Sequence, residues 1–247
     1  MVTELAITEY FIRYLQRRDS LGPNDLERLR ALKTEHASFA AGEVIVPAGS
    51  SPSRSCMMLR GLSARSHALV GRPDDRVITA LHVPGDFVDL HAFIMSRMDH
   101  SIIAIGPAEV EFIDHAELIE TTRSFPHLAR LLWMTTMLDA AIHRQWLVAA
   151  ASLRSSAHLA HLLCEIYVRL QTVGVASDRQ LHLPLLQREL ADILGYSPIH
   201  VNRAVRDLRD RGLIRWLGAD ITIIDWNGLA LLARFDPSYL DLERTPR

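Results

Sequence analysis

The stretch SPIHVNRAVRDLRD, Ser197 to Asp210, places one amide and several guanidinium groups at the spacing of a helix. Arginine can pair with guanine O6 and N7, and asparagine with adenine N6 and N7. Asn202 and Arg203 near the start of an exposed helix therefore have the chemistry of base-edge reading. Ser197 suits an N-cap whose oxygen accepts an orphan backbone N–H, and Pro198 at the first helical position lacks the donor that would go unmet. Val201, Ala204, Val205 and Leu208 recur at i, i+3, i+4 and i+7 as a buried stripe, which turns Ile199, Asn202, Arg203, Arg206 and Asp210 outward. From Asp178 to Arg215 there are seven Arg against five Asp or Glu, a net of +2, while the whole chain carries −2. Any basic face is local. An ordinary solvated Arg/Asp helix would explain these charges, but not the turn punctuation around them.

Other reactive residues are more scattered. His158, His161 and Cys164 have a spacing that invites a metal reading, but steps of three fan the trio over roughly 120° of helix surface, so packing is expected and no metal site is assigned. Cys56 beside Met57-Met58 reads as strand core. An oxidisable thiol would want an electropositive, accessible neighbourhood, for which Arg54 and Arg60 are the only sequence neighbours. No spacing singles out a haem axial pair, and two cysteines are too few for a thiolate iron–sulfur cluster. GxSxG, HExxH, P-loop and GxGxxG patterns are absent from supporting contexts, so an enzyme is not expected and the cofactor is unknown.

The elements that must position these groups fall into three expected regions. Residues 1–124 hold two helices, Leu5 to Gln16 and Asp25 to Lys33, and then short β-type runs punctuated by Gly and Pro: Val44–Val46, Val77–Leu81 and Ile102–Ile105. Residues 125–151 form one long helix, with Leu128, Leu131, Thr135, Leu138, Ile142 and Gln145 at alternating spacings of three and four, the seam of a parallel dimer. A single helix packed on its own domain is the alternative. Residues 152–247 continue with a helix over 157–170, a short strand, helices over 186–194 and from Pro198, and β-runs Gly212–Trp216 and Ile221–Ile224, the order of a winged helix-turn-helix.

The 247 residues, 49% hydrophobic and 23% charged, describe a chain folded nearly throughout, with room for one large domain or two ordinary ones. Two isolated cysteines suit a reducing compartment, Glu4, Glu9 and Arg13 interrupt any signal-type apolar run, and no stretch reaches spanning length. A cytoplasmic protein without membrane attachment is expected.

Gly85-Asp86-Phe87 within HVPGDFVDLHAF, the β-rich segment before it, the long central helix and LADILGYSPIHVNRAVRDLRDRGLI together resemble the Crp/Fnr-type transcriptional regulators, over roughly Leu29 to Ile224. The resemblance implies an α+β chain: an N-terminal cyclic-nucleotide-binding-like β-roll as sensor, a central dimerisation helix and a C-terminal winged helix-turn-helix. Its implied partners are a second copy and double-stranded DNA, with two recognition helices in successive major grooves of a partly palindromic promoter site. RNA polymerase is a further candidate partner. By position, Arg203 matches the guanine-reading arginine, and Ser197 and His200 match phosphate-touching positions. Ile199 stands where the family usually has a base-reading glutamate, so the preferred half-site should differ.

In relatives that bind cyclic AMP, a Gly-Glu pair after GDF holds the ribose and an Arg-Ser pair meets the phosphate. Here Val88-Asp89-Leu90 follows GDF and His100-Ser101 stands near the Arg-Ser position. A neutral histidine does not replace a permanently charged bidentate guanidinium. Cyclic AMP is therefore not the expected effector, which leaves another small molecule, a redox signal or no ligand. Asp89, His100 and Ser101, with His143 and Arg144 where relatives close over the nucleotide, are the candidate effector residues. The rival to a DNA-binding regulator is a β-roll metabolite-binding protein or enzyme without DNA-binding activity.

Overall fold

The computed structural model describes residues 7–69 and 72–247. Helices α1 (Ile7–Gln16) and α2 (Pro23–Arg30) come first; Leu5 and Glu4 lie outside the described residues. Pro23 opens α2, and the Asp25 carboxylate accepts from Gly22 N–H at 3.0 Å, satisfying a donor ahead of the first turn. The roll follows as β1 (Thr34–Phe39), β2 (Val44–Val46), β3 (Arg54–Leu69), β4 (Arg72–His82) and β5 (Ser101–Asp114), in the order β1-β5-β3-β4 with β2 also on β5. All of these pairings are antiparallel. The β3–β5 register slips around Gly61, whose φ is +73°. A Cβ there would come within 2.2 Å of Pro107 O, so only glycine lets the two long strands cross this close.

After α3 (His115–Ser124), helix α4 (Pro126–Ser152) crosses the sensor. Its Leu128, Leu131, Thr135 and Leu138 are all buried within the single chain. The three leucines share a core with Phe11, Ile12 and Leu15 of α1, Leu29 of α2 and Ile113 of β5. Ile142 is partly buried against a second core and Gln145 is half-buried. This corrects the expected seam: alternating three and four marks an apolar stripe, and here α1, α2 and the roll occupy it. The exposed side of α4 carries a different stripe, Trp133 (66% exposed), Met137, Arg144, Leu147 and Val148.

The helix breaks at Leu153-Arg154, and α5 (Ser155–Thr172) follows, buried over most of its length. Next come β6 (Gln180–His182), α6 (Gln187–Leu194), α7 (Pro198–Asp210), β7 (Ile214–Leu217) and β8 (Asp220–Ile223), with a small sheet in the order β6-β8-β7. Helix α8 (Trp226–Ala233) and a 3-10 turn at Pro237–Leu240, neither expected from sequence, pack Leu229, Ala233 and Leu240 into the same core as α5. That core also includes Leu62, Ile78, Leu81 and Ile103 of the roll, so sensor and C-terminal region share one continuous apolar interior. No helix among the described residues is long and apolar enough to cross a membrane.

Candidate nucleic-acid interface and sensor cavity

Helix α7 stands out from the surface because its inner stripe does all the anchoring. Val201, Ala204 and Leu208 are at most 1% exposed. Ser197 Oγ accepts from His200 N–H at 3.4 Å and lies 2.8 Å from His200 Nδ1, so the expected cap forms and also holds the His200 ring. Leu186 offers no side-chain acceptor at the start of α6; instead Glu189 reaches back to accept from Leu186 N–H at 2.7 Å. Gly195, at φ +68°, ends α6 in the left-handed conformation and makes the tight turn into α7.

Ile199, Asn202, Arg203 and Arg206 are exposed on one side of α7. Ile199 presents its methyls to solvent at 65% exposure. Asn202 is not free: it exchanges two hydrogen bonds of 2.8 Å with Gln187 of α6. Base reading by Asn202 would have to break that pair, whereas Gln187, which sequence reasoning did not single out, joins the same surface. Arg211 is held by Asp207 at 2.9 Å.

The sensor cavity, about 240 Å³, lies between the roll and α4. It is lined by Arg65 and His67 of β3, Leu90, His91, Asp99 and His100 of the segment after GDF, and Thr135, Asp139 and His143 of α4 among others. Of the expected effector residues, His100 and His143 line it. Asp89, Ser101 and Arg144 do not. Asp89 is fully buried behind the sheet, where it accepts from Cys56 N–H at 2.7 Å. Burial pushes its carboxyl up to about 7. Ser101 Oγ accepts from Ala48 N–H at 3.0 Å, and Arg144 is exposed. The three misses differ in cause: Asp89 precedes a 3-10 turn and faces the core, Ser101 opens β5 one residue past the cavity-lining His100, and Arg144 lies on the outer side of α4.

The guanidinium that sequence reasoning found missing comes from another strand. Arg65 enters the cavity from β3 and pairs with Asp139 of α4 at 2.8 Å. Burial, and then the nearby Arg65 charge, push His100 down to about 4 and lower His91 in the same way, so both rings are neutral near pH 7. The Cys56 thiol is fully buried, and burial with the adjacent Asp89 pushes it well above its ordinary value, the reverse of a reactive thiolate. His161 packs against Phe235 and Tyr239, and His158 against Tyr196.

A β-roll joined by a long helix to a capped, outward-facing helix with a hairpin wing has the architecture of a winged helix-turn-helix DNA-binding protein. Residues 157–232 match the family described as the Crp-like helix-turn-helix domain. The transcriptional regulatory protein Btr of Bordetella pertussis is 27% identical over 63% of this chain and 64% of its own length. The transcriptional activator FnrA of Stutzerimonas stutzeri is 22% identical over 87% of this chain and 86% of its own. Among solved structures, FixK2 from Bradyrhizobium japonicum superposes with a TM-score of 0.72 at 22% identity, covering 81% of this chain and 98% of that one. Residues 157–232 thus carry a Crp-like helix-turn-helix domain, and over most of its length the chain is similar to DNA-binding transcription regulators of the Crp/Fnr type.

Proposed function

We propose that the regulator acts as a homodimer in the cytoplasm, places α7 of each copy in successive major grooves of a partly palindromic promoter site, and responds to an effector other than cyclic AMP. The observation that carries the DNA-reading part is the exposed face of α7, where Arg203 and Arg206 reach solvent without an ion-pair partner among the described residues while Asn202 is tied to Gln187. Arg203 reads a base edge, Arg206 meets phosphate, Ser197 and His200 sit at the phosphate-facing start of the helix, and Ile199 offers methyls to a thymine methyl. Dimerisation falls to the outer face of α4, where Trp133, Met137, Leu147 and Val148 are more than half exposed. RNA polymerase is the partner that promoter-bound dimers would recruit or exclude.

The effector part rests on the cavity. His100 stands where an arginine would meet a cyclic phosphate, and Arg65 is already paired with Asp139. Selection of bound duplexes from a randomised pool is the direct test. It should return two half-sites about one helical turn apart, and adding cyclic AMP should leave the affinity unchanged. Half-sites lacking any symmetry would defeat the dimeric reading, and tighter binding with micromolar cyclic AMP would defeat the effector reading.

A further inference from the structure

The cavity rim collects ligand-type groups that no sequence spacing revealed. His91, Asp99 and His100 each bring a nitrogen or carboxylate oxygen to one place, and these atoms all lie within 4.8 Å of one another. His100 is 4% exposed, and its Nδ1 is 2.7 Å from Asp99 Oδ1. A carboxylate only accepts, so Nδ1 carries the proton and Nε2 holds a bare lone pair. Nε2 of His100 and Nε2 of His91 are both buried without a partner. Two buried imidazole nitrogens left unsatisfied side by side is an arrangement that folded proteins avoid unless something else completes it.

We propose that the sensor cavity binds a divalent transition-metal ion through His91, His100 and Asp99. Two imidazoles and one carboxylate suit zinc, iron, nickel or manganese, and they lack the oxygen-rich cage that calcium wants. Ligand atoms about 2.0–2.2 Å from one ion stand about 3–4 Å apart, so a set within 4.8 Å must draw in slightly, and Asp99, whose side chain is 76% exposed, has room to leave His100 Nδ1 and turn to the ion. The charged groups facing the site are Asp99, Asp139 and Arg65. Because Asp139 neutralises Arg65 at 2.8 Å, the rim is left with the negative charge of Asp99 to receive a cation. Open coordination positions face the cavity, where Asp139 and His143 of α4 stand on the far wall. An ion held here adds a contact between the post-GDF segment and the long helix, and so gives the sensor a way to move α4.

The inference rests on the reading of this cavity as the effector site, and two readouts separate them. Tag-free full-length protein, stripped with chelator, is titrated with Co²⁺ by visible absorbance and with Zn²⁺ by calorimetry. One ion per chain is expected, with affinity lowered at least about tenfold in His91→Ala and in Asp99→Asn, a range set by the loss of groups that hold or orient a metal. Asp99 is exposed, so its variant tests the site without disturbing the core; His182→Ala, on the wing, should bind as the parent does. Absence of saturable binding, or equal binding by parent, His91→Ala and Asp99→Asn, overturns the site. The same samples are assayed on the selected DNA. A change in DNA affinity of about fivefold or more with metal supports both readings, whereas stoichiometric metal binding that leaves DNA affinity unchanged keeps the site and overturns the cavity's role as effector site.

Discussion

Arg203 and Arg206 are about one turn of helix apart and both exposed, yet they should fail differently when removed. Arg203→Ala deletes a bidentate base contact worth about 1–3 kcal/mol and relaxes preference at one base pair, while Arg206→Ala weakens all sequences alike and flattens the salt slope by about one unit. Ile199→Glu adds an acceptor for cytosine N4 and should change the selected half-site at one position. Unchanged motifs for both Arg203→Ala and Ile199→Glu would move the reading face elsewhere on α7. A second residue-level prediction concerns His127 at the start of α4, which bridges Asp25 at 2.7 Å and Asp19 at 3.2 Å. Burial opposes its charge, but the hydrogen bonds its ring donates to Asp25 and Asp19 outweigh it and raise the imidazole above its ordinary 6.5. A raised histidine contributes stability that is complete below 6.5 and is lost as pH rises through the folded value. Asp19, lowered below its ordinary 3.8 by Ser20 N–H and His127 against the effect of burial, contributes above that value and loses it as pH falls. The melting temperature should therefore decline as pH rises above 6.5 through the raised His127 value. His127→Gln should flatten that decline; an unchanged slope would assign it to other groups.

At the level of elements, α4 shows what periodicity does and does not reveal. The stripe Leu128, Leu131, Thr135, Leu138 was legible as an apolar face, but spacing cannot say whether that face meets a second copy or the chain's own helices, and α1 and α2 take it. The outer residues follow the same spacing, Trp133, Met137, Ala140, Arg144, Leu147, and Arg144 interrupts their apolar character. Trp133→Asp with Val148→Asp should dissociate dimers in sedimentation and leave the fold intact, because both sites are exposed in the single chain. Leu138→Asp should instead unfold the sensor, since a charge without a partner in that core costs several kcal/mol. A dimer that survives the outer pair would place the interface off α4. Elsewhere, α7, its cap and the wing were legible because Ser-Pro and Gly punctuation is local. Strand β3 was hidden: its Arg, Ser and His residues break the alternation expected of a half-buried strand, and both its faces are covered in part, by the sheet core and by the cavity. The rim cluster was hidden for the same reason. His91 and Asp99-His100 lie on opposite sides of a loop, and only the fold closes the gap.

Across the whole molecule, one buried group joins parts that the sequence separates widely. Arg169 of α5 donates to Leu81 O at 2.9 Å, to Asp86 of the GDF turn at 2.5 Å and to Glu165 at 3.0 Å. Glu165 in turn accepts from Trp146 Nε1 of α4 at 3.1 Å and from Tyr239 OH of the final 3-10 turn at 2.8 Å. The GDF turn can sit this close because Gly85 has φ +92°, and a Cβ there would meet Val173 at 2.8 Å. Sensor, long helix and DNA-binding region thus meet at a single ion network, so a change at the roll has a direct route to α5, against which α7 packs. Such a network is weak evidence for net stability, because desolvation offsets its Coulomb gain, but breaking it from one side is costly. Arg169→Met should leave the Asp86 and Glu165 carboxylates buried without their cation and lower stability by about 3–5 kcal/mol. Thermal unfolding, expected as a single transition in the parent chain, should separate into two as roll and DNA-binding region lose their shared tie. Adding Asp86→Asn to Arg169→Met removes one of the stranded charges and should recover part of the loss, a coupling that independent sites would not show. If the double variant is as unstable as the sum of the two single ones, Arg169 and Asp86 act separately and the network does not transmit between the two regions.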